Sequence, residues 1–235
     1  MKEETIITPV CIWHCKRAFD FSISFCGLFF LALPMVIIAL AVKMNSKGPV
    51  LFSQVRVGKN GKLFRVYKFR TMKVSSSPSA SYVTVAGDER ITAVGRFLRK
   101  WKLDECPQLW NVFVGNMSMV GPRPDVSGYA DRLKGRARDI LSLRPGITGP
   151  ATLYFRNEEE LLAQTEVPRK YNDQVIYPAK VALNLFYLER LSFSRDIGYI
   201  LVTVFPFLGP YFQLVPAVDI DTLARNGIKA CLPYS

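Results

Sequence analysis

The sequence predicts a mostly α-helical protein with a small β-hairpin element. We expect an N-terminal re-entrant membrane segment that runs helix, break, helix, followed by a cytoplasmic globular domain with amphipathic interfacial helices. Three observations lead to this prediction: a long apolar run near the N-terminus, alternating apolar and polar residues around a glycine turn, and later apolar residues at helical spacing. We divide the chain into an N-terminal segment (1–47), a globular domain (48–204) and a C-terminal tail (205–235).

The apolar run extends from Ala18 to Val42 and exceeds the roughly 20 residues that a helix needs to span a bilayer. Three interpretations are open: a spanning helix, a buried core helix, or a re-entrant hairpin that enters and leaves the membrane on one face. Lysine or arginine stands on both sides of the run, which draws both ends towards the cytoplasm. Pro34 lies inside the run, where a proline kinks a helix. These two features favour a hairpin at about residues 16–44.

The net charge of the chain is +12, and residues 43–144 contain 20 Lys and Arg against 7 Asp and Glu. Such an excess favours an anionic partner, which is nucleic acid, lipid headgroups or phosphorylated metabolites. No nucleic-acid-binding motif accompanies the charge, so we expect no nucleic-acid partner. The five cysteines are odd in number and form no disulfide framework, which is typical of reduced thiols in a cytoplasmic compartment.

The segment after the apolar run, Gly48 to Met72, alternates apolar and polar residues around a turn at residues 59–61, which predicts a β-hairpin. The serine-rich stretch 75–81 predicts a loop. Between Ile91 and Lys102, apolar residues at helical spacing are interleaved with lysine and arginine, which predicts an amphipathic helix. Such a helix either lies on anionic lipid or is an ordinary surface helix.

A further helix is predicted to begin at Asp104, because the proline that follows is tolerated in a first turn, and to end at Gly115. The sequence GPRP at 121–124 predicts a rigid turn that holds Arg123. The remaining predicted elements are helices at Val126–Leu143, Tyr177–Arg190 and Asp196–Val204, a loop at 144–150, and either an interfacial helix with a loop or a core helix at 197–215.

Asp104 and Glu105 are adjacent acids in a part of the chain that is rich in lysine and arginine. At a helix N-terminus, Asp104 would accept hydrogen bonds from backbone N–H groups and lie at the positive end of the helix dipole, and both effects stabilise its ionised form. A charged carboxylate near a phosphoryl group can attack phosphorus, and two carboxylates suit Mg²⁺ together with substrate phosphates. The pair predicts a phosphate-handling active site, and the alternative is a helix cap.

Basic residues that could hold phosphate oxygens stand on both sides of this pair. The candidates for substrate binding are Lys68, Arg70, Arg90, Arg99 and Arg123. On spacing alone, each of them could equally be a solvated surface charge.

The sequence resembles the bacterial sugar transferase family, the monotopic polyprenyl-phosphate phosphoglycosyl transferases. The matching stretches are KRAFD (16–20), the apolar run with its proline, GPVLFSQVRVG (48–58), YKFRTM (67–72), DERITAVGRFLRKWKLDECPQLWNVFVGNMSMVGPRP (88–124) and RPGITGP (144–150). They cover most of Lys16 to Pro150 in the order that the family has. Small-form members consist of this catalytic unit alone, and we expect the chain to be of that form.

The resemblance implies an enzyme that moves a sugar 1-phosphate from a UDP-sugar to polyprenyl (undecaprenyl) phosphate, releases UMP and requires Mg²⁺. It implies that Asp104 is the nucleophile, which forms a covalent sugar-phosphate intermediate, and that Glu105 is its partner, with both acids near the metal. The reaction would be the first membrane step of surface glycan synthesis. The implied location is the cytoplasmic face of the bacterial inner membrane, with membrane lipids as partners and a homo-oligomer as a further hypothesis.

The resemblance also assigns the basic candidates. Lys68, Arg70 and Arg99 match positions that line the family's site, and Arg123 matches the region that meets the nucleotide phosphates. Arg90 is kept as a substrate-binding candidate. Pro34 matches the break in the family's re-entrant helix.

Two departures from the family's pattern limit the resemblance. Leu33 precedes Pro34 where some members have serine, so the kink depends on proline alone. After RPGITG the chain reads PATLYFRNEEELL, so sugar preference does not transfer through this region. A later segment resembles a subgroup's C-terminal extension and makes Asp196 a weak site candidate. Two rival functions stay open, a basic nucleic-acid-binding protein and a non-catalytic membrane scaffold.

Overall fold

The computed structural model describes residues 10–73 and 88–231, with side chains from residue 13 onward, so the loop predicted at 75–81 lies outside the described residues. The α-helices are α1 (Val10–Asn45), α2 (Ala93–Lys100), α3 (Gln108–Val114), α4 (Pro150–Tyr154), α5 (Glu158–Ala163), α6 (Pro168–Tyr171), α7 (Tyr177–Glu189), α8 (Phe193–Val204), α9 (Gly209–Phe212) and α10 (Ile220–Ala230). The strands are β1 (Leu51–Val57), β2 (Leu63–Phe69), β3 (Ser118–Val120) and β4 (Gly146–Thr148). The prediction of a mostly helical protein is confirmed.

Most of α1 lies outside the protein core. Only 6% of its most apolar 18-residue window is buried, which excludes the core-helix interpretation and indicates membrane association. The chain stays helical through Pro34, so the interruption that we predicted there is absent. A proline removes one intrahelical hydrogen bond, and the backbone on either side can remain helical. The re-entrant course of α1 stays a prediction.

The predicted hairpin is confirmed. Strands β1 and β2 pair antiparallel, with Leu51 opposite Phe69 and Val57 opposite Leu63. A 3₁₀ turn at Lys59–Gly61 joins them, where the sequence placed the turn. The hairpin matters for the site because β2 carries Lys68.

A second pair of strands lies where we predicted a loop at 144–150. Strands β3 and β4 run parallel and pair Ser118 with Gly146 and Val120 with Thr148. The two backbones pass so closely that a Cβ on Gly146 would lie 2.1 Å from the backbone nitrogen of Gly121, so only glycine fits. Three-residue strands are too short to show an alternating pattern, which is why the sequence did not reveal them. The pairing holds the start of the turn that carries Arg123.

The prediction of a helix at 126–143 is wrong. The structure has two 3₁₀ segments there, Ala130–Arg132 and Gly135–Ser142. Gly128 and Gly135 have φ angles of 102° and 54°, which are left-handed and end any α-helix that reaches them. The apolar residues of this segment are spaced as in a helix because one side of the segment is buried, although its backbone is irregular.

The helices predicted in the C-terminal half are confirmed as α7 and α8. Helix α8 begins three residues before the predicted Asp196, because the Ser192 side chain caps it by accepting a hydrogen bond from the N–H of Arg195. It ends at Val204, and short turns follow. The predicted tail contains α10, which packs on α7 and adds Leu223 to a hydrophobic core cluster.

Polar contacts join the N-terminal part of α1 to the globular domain. Lys16 forms a buried ion pair with Asp196 of α8, and the Tyr187 hydroxyl donates a hydrogen bond of 2.7 Å to the same carboxylate. Asp20, which is 2% exposed, accepts a hydrogen bond of 3.0 Å from the N–H of Met119 in β3. The structure thus places Asp196, the weak site candidate, at the junction between α1 and the domain.

We predict that Asp196→Asn lowers the free energy of unfolding by about 3–5 kcal/mol, because it leaves the buried Lys16 ammonium without an ionised partner. Chemical unfolding in detergent micelles measures the loss. Glu189→Gln is the control, since it breaks an exposed pair with Arg136 and should cost less than about 1 kcal/mol. Similar losses for the two variants would contradict the anchoring role of Lys16 and Asp196.

Candidate active site

The two acids lie in a short 3₁₀ turn, Leu103–Glu105, between α2 and α3. Lys102 has a φ of 55°, a left-handed conformation that redirects the chain after α2. The helix that we predicted from Asp104 therefore begins only at Gln108, although it ends at Gly115 as predicted. Both acids are buried, with 8% of Asp104 and 7% of Glu105 exposed.

Helix α3, behind this turn, is fixed by hydrogen bonds from two sides. The Asn111 side chain accepts from the N–H of Tyr67 and donates to the carbonyl of Arg65, both in β2, over 3.2 and 2.7 Å. Arg17 of α1 donates to the carbonyls of Val112 and Phe113, the last turn of α3, over 2.6 and 2.7 Å. The membrane helix and the hairpin therefore both hold the element that follows the two acids.

Glu105 binds two of the predicted cations. Its Oε1 accepts a hydrogen bond of 2.6 Å from Lys68 Nζ and one of 2.7 Å from Arg123. Burial opposes ionisation of Glu105, but Arg123 and Lys68 outweigh it and hold the pKa of this carboxyl well below its usual range. Burial lowers the pKa of Lys68, and Glu105 partly restores it. Glu105 is thus a permanently charged group that brings a lysine and an arginine together.

Asp104 has the opposite surroundings. Its Oδ1 is buried and has no hydrogen-bond partner among the described residues. Burial, followed by the charge of Glu105, raises the pKa of Asp104, and Lys68, Arg99 and Lys102 only partly offset this. Our expectation that backbone N–H groups at a helix N-terminus stabilise the ionised carboxylate is wrong, because the 3₁₀ turn does not present such donors to Oδ1. Asp104 is therefore a buried carboxyl group whose ionised form is poorly stabilised by the described residues.

The other three basic candidates lie in different places. Arg99 donates to the Thr71 hydroxyl over 3.0 Å and forms a 2.9 Å ion pair with Glu159, close enough to Asp104 to lower its pKa. Arg70 is 5% exposed and donates to the Ser46 carbonyl at the end of α1 over 2.7 Å. Arg90 forms an ion pair of 2.6 Å with Asp88, in a turn before α2. Lys68 and Arg123 therefore meet at Glu105, Arg99 flanks Asp104, and Arg70 and Arg90 are held by other partners.

Sequence reasoning missed the acidic start of α5. Glu159 pairs with Arg99, and the charge of Glu158 raises the pKa of Arg123, although Glu105 has the larger effect. The run of three glutamates at 158–160 was visible as an acidic exception in a basic chain. The spacing of these glutamates does not show that they lie close to Arg99 and Arg123, which precede them by more than thirty positions.

The two acids suit a magnesium ion. Oδ1 of Asp104 has no partner, and both cations contact Oε1 of Glu105, so Oε2 makes no hydrogen bond to any residue in the described ranges. Residues 10–73 and 88–231 contain no group of three or more His, Cys, Asp or Glu side chains arranged for a metal. Because Mg²⁺ is commonly held by one or two carboxylates with substrate phosphates and water, Asp104 and Glu105 fit it.

Comparison with known proteins matches the family model described as bacterial sugar transferase to residues 12–209. A UDP-glucose:undecaprenyl-phosphate glucose-1-phosphate transferase of Klebsiella pneumoniae is 36% identical over 194 residues, which are 81% of this chain and 39% of that protein. The exopolysaccharide production protein PSS of Rhizobium leguminosarum bv. phaseoli is 38% identical over 196 residues, 80% of this chain and 92% of that protein.

A third relative is named for a different sugar. The UDP-N-acetylgalactosamine-undecaprenyl-phosphate N-acetylgalactosaminephosphotransferase of Aeromonas hydrophila is 37% identical over 137 residues, 57% of this chain and 32% of that protein. The chain thus spans about two fifths or less of the Klebsiella and Aeromonas relatives and nearly all of the Rhizobium one.

The two acids should respond differently to neutralisation. We predict that Glu105→Gln lowers the free energy of unfolding by up to about 3 kcal/mol, the low end of the range for breaking a buried pair, because the Arg123 side chain is 36% exposed. Asp104→Asn should raise stability at neutral pH, because it removes a buried charge that Glu105 repels. Thermal unfolding in detergent checks both signs. A loss for Asp104→Asn as large as that for Glu105→Gln would contradict the contrast.

Proposed function

The chain belongs to the bacterial sugar transferase family, and on this basis we propose that it transfers a sugar 1-phosphate from a UDP-sugar to undecaprenyl phosphate and releases UMP. The observation that carries the proposal is the buried, unpartnered Oδ1 of Asp104 beside a carboxylate that holds Lys68 and Arg123. The site thus combines a nucleophile without a hydrogen-bond partner with fixed cations for phosphate oxygens.

In the first half of the reaction, the Asp104 carboxylate attacks the β-phosphorus of the UDP-sugar. An oxygen–phosphorus bond forms to Asp104, the bond from the β-phosphorus to the bridging oxygen breaks, and UMP leaves with that electron pair. Arg123 and Lys68 are placed to bind the phosphate oxygens, in part exchanging their contacts with Glu105. Asp104 and Glu105 would hold Mg²⁺, which would supply positive charge that reduces the repulsion between the carboxylate and the diphosphate.

In the second half, a phosphate oxygen of undecaprenyl phosphate attacks the same phosphorus. The bond to Asp104 breaks, the carboxylate is restored and the sugar leaves on a lipid-linked diphosphate. The raised pKa of Asp104 suits the first half rather than this one, because a carboxylate that is poorly stabilised in the free enzyme is the better nucleophile and loses its unfavourable charge when it binds phosphorus. Each half transfers one phosphoryl group, so no oxidant or further substrate is required.

The exposed apolar surface of α1 is an argument for an acceptor that is linked to a lipid. Helix α1 exposes its apolar side chains, with Phe29, Phe30 and Leu33 between 70% and 74% exposed. Phe97 and Trp101, on and just after the basic helix α2, are 57% and 63% exposed. Apolar side chains beside lysine and arginine suit the interface of an anionic membrane, so we place the reaction at the cytoplasmic face of the bacterial inner membrane.

We predict that Asp104→Asn lowers UMP release from UDP-glucose by on the order of 10⁴-fold or more, because the nucleophile is lost. Incubation with a UDP-sugar labelled on the β-phosphate, without lipid acceptor, should leave label on the wild-type protein and none on the variant. Asp139→Asn, which changes an exposed acid, is the matched control. Full turnover by Asp104→Asn would support the scaffold alternative, and turnover by wild type without trapped label would contradict the covalent route.

The re-entrant course predicts that both flanks of α1 are reached only from the cytoplasm. Cys15 is exposed before the apolar run, and Lys47 is exposed after it. Two single-cysteine proteins, one keeping Cys15 and one carrying Lys47→Cys, should react with a membrane-impermeant maleimide only in inside-out vesicles. Reaction of either position in right-side-out spheroplasts would show a spanning helix instead.

A further inference from the structure

A second group of charged side chains lies beside Arg123, outside the pair of acids. It consists of Arg56 of β1, Asp125 after β3, Glu158 of α5 and Lys180 of α7. Asp125 follows Arg123 by two positions. The charges of Arg56, Glu158 and Lys180 all act on the Asp125 carboxyl group. Three distant parts of the chain therefore meet at the turn that leads out of the active site.

The backbone around Asp125 is held on two sides. The N–H of Val57 donates to the Asp125 carbonyl over 2.8 Å, and Arg56 donates to the Pro124 carbonyl over 3.1 Å. The Asp125 carboxylate itself makes no hydrogen bond and no ion pair within the part of the chain that the structure describes. Burial raises the pKa of Asp125 to about 6, although Lys180, Arg56 and Arg123 act in the opposite direction. This half-buried carboxylate therefore has no partner among the described residues, and we call the group of side chains around it the recess.

The recess contains an ion pair. Lys180 Nζ donates to both carboxylate oxygens of Glu158, over 2.7 and 2.8 Å, and the two side chains are only 16% and 27% exposed. The pair fixes the direction of the lysine side chain, since an ammonium group that donates hydrogen bonds to two oxygens has little conformational freedom. The charge of Glu158 reaches both Arg123 and Asp125. The recess therefore borders the cation that Glu105 holds.

Tyr177, the first residue of α7, adds a neutral polar group. Its hydroxyl oxygen is buried and has no hydrogen-bond partner among the described residues. Burial raises the pKa of Tyr177 most, and among charged neighbours Asp125 has the largest effect. The ring packs edge-on against Tyr129 at 4.9 Å between centroids, which fixes its position. A buried hydroxyl without a partner is costly unless a ligand completes its hydrogen bonds.

We propose that Asp125, Tyr177 and Lys180 line the subsite for the sugar ring of the donor substrate. A sugar presents hydroxyl groups that both donate and accept. Asp125 can accept from them, the Lys180 ammonium can donate to them, and the Tyr177 hydroxyl can do either. The proposal rests on the proposed function, because the sugar carried by the reacting phosphate has to lie next to the phosphate-binding Arg123. Glu158 positions Lys180 and does not itself need to touch the sugar.

The subsite accounts for a feature of the sequence. Glu158 lies in the stretch after RPGITG where the chain departs from the pattern of its family, and Tyr177 and Lys180 lie in the later segment that resembles a subgroup's C-terminal extension. Relatives of this chain are named for glucose and for N-acetylgalactosamine. Selection between such sugars has to occur outside the phosphate chemistry, because the phosphates of the donors are identical.

The test compares wild type, Asp125→Asn and Tyr177→Phe with UDP-glucose, UDP-galactose, UDP-N-acetylglucosamine and UDP-N-acetylgalactosamine in a UMP-release assay. The best donor should lose about tenfold or more in kcat/KM in each variant, as expected for one hydrogen bond to a charged or buried group, while poor donors lose less. Inhibition by added UMP should stay unchanged, because UMP has no sugar outside its ribose. Asp139→Asn is the matched control and should change neither quantity.

The outcomes separate the subsite from the reaction. If all four donors and UMP inhibition weaken by the same factor, the recess binds the nucleotide, and the sugar assignment is wrong. If the order and rates of the donors match those of wild type, the recess binds no part of the donor, and only the subsite is overturned. If wild type releases no UMP from any donor, the proposed function fails, and the subsite fails with it.

Discussion

The interaction on which the site depends is the double contact of one Glu105 oxygen with Lys68 and Arg123. It joins the β-hairpin, the turn after α2 and the turn after β3. Both cations contact Glu105, whereas Asp104 next to it is repelled by the charge of Glu105, and its Oδ1 has no hydrogen-bond partner among the described residues. The two adjacent acids thereby differ in role. Glu105 is an ion-paired carboxylate that holds the site together, and Asp104 is the acid that we propose to be the nucleophile.

The same arrangement explains why the membrane helix matters to the chemistry. Arg17 of α1 binds the end of α3, directly behind the acids, and Asp20 binds β3, which leads to Arg123. Both contacts come from the part of α1 that precedes its exposed apolar half. The position of the membrane surface and the position of the phosphate-binding cations are thus set by one helix, which suits an acceptor whose phosphate is attached to a lipid.

Several expectations were right because they depend on local chemistry. The hairpin is visible from alternation around Gly61, and the exposure of α1 agrees with an apolar run longer than the roughly 20 residues that a bilayer-spanning helix needs. The irregular segment at 126–143 was misjudged because apolar spacing does not distinguish an α-helix from 3₁₀ turns of similar burial. The start of α3 was misplaced because the left-handed Lys102 has no sequence signature of its own, unlike a glycine.

By itself the sequence determined the elements with strong periodicity, the long apolar helix and the pair of adjacent acids that we propose to be reactive, because these depend on residues close together in the chain. Only the tertiary structure decided which cations meet Glu105 and which are held elsewhere, as Arg70 and Arg90 are. It also brought Asp125 and Lys180 to one recess from positions 55 residues apart. The position of a charged residue in the sequence does not identify its ion-pair partner, since a salt bridge forms wherever folding places the two groups close together.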